Sequence, residues 1–178
     1  MTIIDKVVPN VVGVDIGCGV HALRLGEVDP EAVDWEAFDK HVRTRVPHGV
    51  GGVHKETRFE LAADWIVTAK RVGIDPLYVA ASMGTLGGGN HFIEVDVDEK
   101  GAFWLLVHTG SRKFGYDVAA YHQRVANEGH GKRNELNWLD VGEPEGQLYL
   151  QDMRMAQSFA EINCINISQE VAKWFYAE

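Results

Sequence analysis

Two imidazoles, one thiol and one carboxylate stand in this sequence at spacings that could bring them to one metal ion. His91 follows Gly87-Gly88-Gly89-Asn90, and His108 opens His108-Thr109-Gly110-Ser111-Arg112. The runs 91–97 and 102–108 are rich in β-branched and aromatic residues, and 98–101 between them has turn composition, so the spacing predicts one β-hairpin. A turn centred on Glu99 and Lys100 sets His91 opposite His108 across the open end. Directly opposed residues have Cβ atoms roughly 4.5–5.5 Å apart, close enough for two imidazoles to share a metal.

The second pair lies near the start. An apolar run, 11–14, leads into Asp15-Ile16-Gly17-Cys18-Gly19 and a further strand-like run, 20–25, which together predict a strand, a tight turn and a strand. Glycines at 17 and 19 permit backbone conformations closed to other residues, so the Asp15 carboxylate and Cys18 thiolate can converge. Taken alone, this stretch is better explained by an Asp in a turn and a small apolar Cys. Added to two imidazoles, they make a transition-metal site with room for more than one ion, and ligand softness alone points to zinc. No Cys-x-x-Cys pair occurs and Cys164 falls in a helix-like segment, which excludes a zinc ribbon or a disulfide framework.

The remaining elements must position these groups. Asp29-Pro30 reads as a helix start whose apolar stripe is Val33, Ala37, Phe38 and Val42, running up to Pro47. Thr57 and Glu60 resemble a capping box for a helix with Leu61, Trp65, Ile66 and Ala69 inside, ended by Gly73. A helix is expected over 116–127, a polar surface loop over 134–146, and one or two closing helices from Asp152. The fold class expected is α+β, with hairpins and mixed sheet flanked by helices, in a single domain over 1–178.

Three stretches together carry a family resemblance: Val12 to Gly19 (VGVDIGCG), Gly84 to Glu94 (GTLGGGNHFIE) and His108 to Arg112 (HTGSR). They resemble the RtcB-type RNA ligases of tRNA splicing and RNA repair in order and approximate spacing, as do Val46-Pro47-His48-Gly49 and the run 156–163. The resemblance covers nearly all of this chain but about the middle of a family member. It implies a GTP- and manganese-dependent ligase that joins an RNA 3′-phosphate or 2′,3′-cyclic phosphate to a 5′-hydroxyl through a covalent histidine–GMP intermediate. By that likeness Asp15, Cys18, His91 and His108 are metal ligands, with two Mn2+ in a complete site. Asn90 and Arg112 meet phosphate and Glu94 helps hold the guanosine, while Ser111, read from its residue type, adds a donor beside Arg112. A planar guanidinium suits this work because it can bond two phosphate oxygens at once.

The departures from the family are also part of the reading. The family's further metal-binding histidine and its nucleophile come from a downstream segment with no counterpart up to Glu178, and its upstream Asp- and His-containing motif has none before Val11. No catalytic residue is therefore expected within these residues; His122 and His130 are assigned to the polar face of a helix. Cys164 stands where the family usually has arginine after asparagine. A working site would then be completed by a second polypeptide or by residues outside this sequence. The alternatives are a catalytically silent homologue that binds metal and nucleotide, or a metal-dependent phosphoesterase. The expected substrates are RNA ends, such as tRNA halves or broken RNA, and self-association through uncovered apolar surface is a further expectation.

Composition agrees with a cytoplasmic globular protein: 178 residues, 46% hydrophobic, no signal peptide and no membrane span. The net charge of −9 runs against RNA affinity, which rests on clustered Lys and Arg, and no basic stripe interleaved with aromatics is visible along the chain.

Overall fold

In a computed structural model, residues 4–57 and 59–176 are described. The element order is β1 (Lys6–Val7), α1 (Pro9–Val12), β2 (Gly19–Glu27), α2 (Trp35–Arg45), α3 (Ala63–Val72), α4 (Pro76–Ser82), β3 (Phe92–Val97), β4 (Ala102–Thr109), α5 (Arg112–Gly129), β5 (Leu139–Asp140) and α6 (Pro144–Tyr176). Helices and antiparallel sheets combine, so the class is α+β.

β2, β4 and β3 form an antiparallel sheet with β4 in the centre, while β1 and β5 make a two-stranded ribbon. One face of the larger sheet is apolar because Leu105, Val107, Ile93 and Val95 alternate onto it. It packs on Ile167 and Val171 of α6 and on Phe38 and Val42 of α2. The opposite face, carrying Val20, Phe92, Glu94 and His108, lies open or half-open.

The second core lies among helices and gathers Trp65, Phe114, Val118 and Phe159 with Ile16. α6 supplies side chains to both cores over 33 residues, which at about 1.5 Å per residue spans roughly 50 Å. It is the beam against which sheet and helices are both set.

The hairpin forms as expected, but its register is shifted by one. Phe92, not His91, stands opposite His108, and Val97 stands opposite Phe103. The loop holds three residues rather than two. Asp98 accepts from the backbone N–H groups of Lys100 and Ala102, both at 2.9 Å, and Gly101 takes φ +82°, the left-handed conformation that such a loop requires.

Other expectations are corrected by local chemistry. The run 11–14 does not form a strand. Pro9 sits in the first turn of α1, which ends at Val12, so the chain enters the Asp15 turn from a helix. α2 starts at Trp35 rather than near Asp29, because Asp34 caps it by accepting from the Ala37 N–H at 3.0 Å. The proposed Thr57–Glu60 capping box is absent; α3 follows Ala62 with no side-chain cap, although Gly73 ends it in the left-handed region as expected. α4 was not anticipated, although Asp75-Pro76 supplies both a cap and a first-turn proline. Within 134–146, Leu139 pairs with Val7, and α6 has already begun at Pro144.

Candidate metal centre

The turn from Asp15 to Cys18 is closed by Cys18 N–H donating to the Asp15 carbonyl at 3.1 Å. Gly17 has φ +78°, and a Cβ there would come within 2.9 Å of the Gln157 Cα on α6. Only glycine allows both the turn and that approach. Gly19 is already extended strand and needs no such freedom.

Asp15, Cys18 and His91 place one ligand atom each within 4.8 Å of one another. His91 Nε2 is 2.9 Å from Asp15 Oδ2 and 3.7 Å from Cys18 Sγ. His108 Nε2 approaches the same sulfur at 3.0 Å, and the two imidazole centroids are 5.5 Å apart. Three of the four donors singled out in the sequence therefore meet, and the fourth, His108, reaches the group only through the Cys18 sulfur, despite the register shift. His91 sits just before the β3 ladder and so is released from strand alternation, which would have sent it to the face opposite Phe92.

The His91 ring is oriented from behind. Its Nδ1 lies 2.9 Å from the Leu86 carbonyl, which can only accept, so Nδ1 carries the proton and Nε2 faces the cluster. The same carbonyl accepts from the Thr109 hydroxyl at 2.8 Å. Partial burial, and then the Asp15 charge and hydrogen bond, push the Cys18 thiol up to about 11. Without a cation nearby the sulfur stays protonated at neutral pH, whereas a divalent ion would favour the thiolate.

Sequence reasoning assigned no role to the residue that ties this region together. Asn163, fully buried on α6, accepts from the Gly84 and Thr85 N–H groups at 2.7 and 3.2 Å. Its amide nitrogen donates to the Thr85 carbonyl at 3.1 Å, the Thr109 hydroxyl at 3.3 Å and the Gly110 carbonyl at 3.2 Å. One side chain thus fixes the glycine-rich loop against the end of β4. The adjoining loop is pinned as well: Leu86 N–H donates to Pro47 O at 2.9 Å, and Gly49 N–H to Gly87 O at 2.7 Å.

Arg112 lies beside the cluster, with Nε donating to the Thr85 hydroxyl at 3.2 Å and its guanidinium against Gly87. A Cβ on Gly87 would come within 1.8 Å of Nη1, so glycine makes the space for the cation. Arg112 itself has φ +58°, a strained value for a non-glycine residue. Burial lowers its affinity for the proton, and the Asp15 charge opposes that shift. Together with Asp15, His91 and Tyr116 it lines a cleft of about 380 Å³.

The other expected residues are placed differently from one another. Asn90 is exposed on the loop before His91. Glu94 is exposed on the same open sheet face as Phe92 and His108. Ser111 is fully buried, and its hydroxyl turns toward Gly115, where a Cβ would be only 1.9 Å away, rather than into the cleft. Cys164 is buried with its thiol 3.8 Å from the Gly19 and Thr109 carbonyls, so at this position it offers no phosphate contact.

His122 is a correction. It does not lie on a polar helix face but is 1% exposed in the helical core, with Nε2 2.8 Å from Asp152 Oδ2. Asp152 also accepts from Thr68 at 2.9 Å and from Arg71. His130 is on the surface at the end of α5, 3.1 Å from the Trp138 carbonyl.

A mixed carboxylate, thiol and imidazole cluster at a sheet edge, with an arginine in the same cleft, defines a candidate metal centre of a kind suited to phosphate chemistry. The family model described as tRNA-splicing ligase RtcB matches residues 77–178, and the chain belongs to that family. RNA-splicing ligase RtcB of Escherichia coli strain K12 is 30% identical over 181 residues, covering 88% of this chain and 44% of that protein. RNA-splicing ligase RtcB1 of a second Escherichia coli strain matches with the same figures. The chain thus spans less than half the length of the curated relatives it matches. Among the described residues, no helix is long and apolar enough to cross a membrane.

Proposed function

We propose that this chain is the metal-binding part of an RNA ligase that uses GTP and manganese to join a 3′-phosphate or 2′,3′-cyclic phosphate end to a 5′-hydroxyl end. The observation that carries the reading is the meeting of Asp15, Cys18 and His91 within 4.8 Å, with His108 on the same sulfur. Family membership supports the ligase class.

The donor set fits divalent ions: one hard carboxylate oxygen, two imidazoles and a thiol accommodate manganese as well as zinc. Cys18 faces both histidines, so its sulfur would serve as a ligand together with either imidazole. Bound there, such ions would neutralise phosphate charge and polarise the phosphoryl group.

The chain's own residues would do the rest. Arg112, held by Thr85 and backed by Gly87, presents a fixed cation to phosphate oxygens in the cleft. Asn90 adds an exposed amide donor beside His91, and Glu94 lies along the open sheet face where it can accept from a guanine edge. Leu86 holds the His91 tautomer, and Asn163 holds the glycine-rich loop to the end of β4, so the donors need little rearrangement to bind.

Native mass spectrometry of the chain with manganese tests this reading. Uptake of manganese that Cys18→Ala and His91→Ala each abolish is expected. A wild-type chain that takes up no manganese would contradict it.

A further inference from the structure

One stripe of α5, which includes Phe114, Val118, His122 and Ala126, is buried in the helical core. The opposite stripe, at the same helical spacing, carries Tyr116, Ala120, Arg124 and Asn127, and it floors an open groove of about 800 Å³. Val14 and Tyr116 line this groove and also the cleft that holds Asp15, His91 and Arg112, so the two adjoin. The 18 residues of α5 give the path a length of roughly 27 Å.

The far wall is a built loop. Gln123 accepts from the Asn10 N–H at 3.1 Å and donates to the Asn134 and Asn137 carbonyls at 3.1 and 3.4 Å, joining both walls to the floor. Asn127 accepts from the Asn134 N–H at 3.0 Å and from the Asn137 amide at 2.7 Å, and that same amide donates to the Lys132 carbonyl at 2.7 Å. The loop so held presents Lys132 and Arg133 to the groove. Neither has a carboxylate partner among the described residues.

Five cations, Arg112, Lys113, Arg124, Lys132 and Arg133, therefore border the cleft and groove of a chain whose net charge is −9. Lys113 is paired with Asp117, and Arg124 lies 4.0 Å from Glu128; Glu135 is the further acid of the wall. Tyr116 is 53% exposed between the two basic ends, and Asn127 and Asn134 add amides. Folding thus assembles the basic, aromatic-containing surface that the linear sequence does not display.

We infer that this groove binds the single-stranded stretch of RNA adjoining the reacting end, an inference that rests on the ligase reading. Lys132 and Arg133 hold backbone phosphates, and Tyr116 stacks a base at the junction with the cleft. An acidic peptide would use the cations but not the exposed ring and amides, so RNA fits the set better.

Fluorescence anisotropy with a labelled single-stranded RNA of about 12 nucleotides ending in a 3′-phosphate, in the presence of manganese, tests the groove. The double variant Lys132→Ala/Arg133→Ala is expected to bind less tightly. It should also flatten the dependence of log affinity on log salt by about 1.4, at ~0.7 per phosphate contact. Tyr116→Ala is expected to weaken binding roughly 5- to 100-fold. No RNA binding by the wild-type chain at low salt, no response to these substitutions, or equal affinity for a poly-glutamate peptide overturns the groove. If RNA binding ignores the groove variants but disappears in His91→Ala, the groove falls and the ligase reading stands. If the groove variants weaken RNA binding while the chain takes up no manganese, the groove stands and the ligase reading falls.

Discussion

Two histidine–aspartate pairs of nearly equal length sit in this molecule, and their surroundings give them opposite work. His91 and Asp15 are 2.9 Å apart beside an exposed thiol and a second imidazole, and both line an open cleft. His122 and Asp152 are 2.8 Å apart but are 1% and 0% exposed, and Thr68 and Arg71 also donate to the carboxylate. The first pair has donor atoms left for a cation. In the second the carboxylate is taken up by three donors, so it pins α3, α5 and α6 together, and His122 Nδ1, buried with no hydrogen-bond partner among the described residues, faces no cleft. A histidine beside a carboxylate is a site only where solvent, further ligands and a cleft reach it.

The largest difference should be in stability. Asp152→Ala leaves His122, Thr68 and Arg71 without their acceptor and is expected to cost about 3–5 kcal/mol in urea unfolding. Asp15→Ala, at a half-exposed turn, is expected to cost no more than about 1 kcal/mol. Equal losses would erase the distinction between the two pairs.

Metal affinity should respond the other way. Removing a donor, as in Asp15→Ala or Cys18→Ala, is expected to weaken manganese binding by more than the roughly 100-fold that marks loss of a supporting residue, as read by calorimetric titration. His122→Gln should leave it unchanged.

Asn163→Ala sharpens the comparison because Asn163 is buried like the second pair yet serves the first. Loss of its five contacts is expected to cost about 2–3 kcal/mol and to lower manganese affinity roughly 10- to 100-fold. A stability loss with intact metal affinity would reduce Asn163 to packing. Gly110→Ala acts more locally: a Cβ there meets Asp15 Oδ1 at 2.3 Å, so manganese binding should weaken with only a small change in the unfolding midpoint.

The smallest effect is in pH dependence. Burial raises the Asp152 carboxyl, but hydrogen bonds from His122, Arg71 and Thr68 outweigh it and hold the group below the usual carboxylate range. Its contribution is therefore present above the unfolded value near ~3.9 and is lost as pH falls through the lower folded value. Urea midpoints of wild type and Asp152→Asn should differ most near neutral pH and converge in acid.

The donors were legible in the sequence because short-range chemistry delivers them. Gly17 closes the Asp15–Cys18 turn, and a strong hairpin carries His108 back past His91. What could not be read was long-range. Whether the hairpin loop holds two or three residues turns on Gly101 and the Asp98 side chain, and one residue shifts the whole register. His122 read as polar helix face because its partner Asp152, on α6, and the other donors to that carboxylate, on α3, are distant in sequence. Asn163 looked like one more polar residue in a helical pattern, since its four partner residues lie in the glycine-rich loop and at the end of β4, which only the fold places beside α6. α1 displaced a predicted strand because Pro9 outweighs three valines in a run too short to pair.

The most direct test of the account replaces manganese with cobalt and records the absorption spectrum of the chain. A thiolate-to-cobalt charge-transfer band is expected, lost in Cys18→Ser and weakened in His108→Ala, while His122→Gln retains it. A spectrum without that band, or one that persists unchanged in Cys18→Ser, would contradict a metal centre built on Asp15, Cys18, His91 and His108.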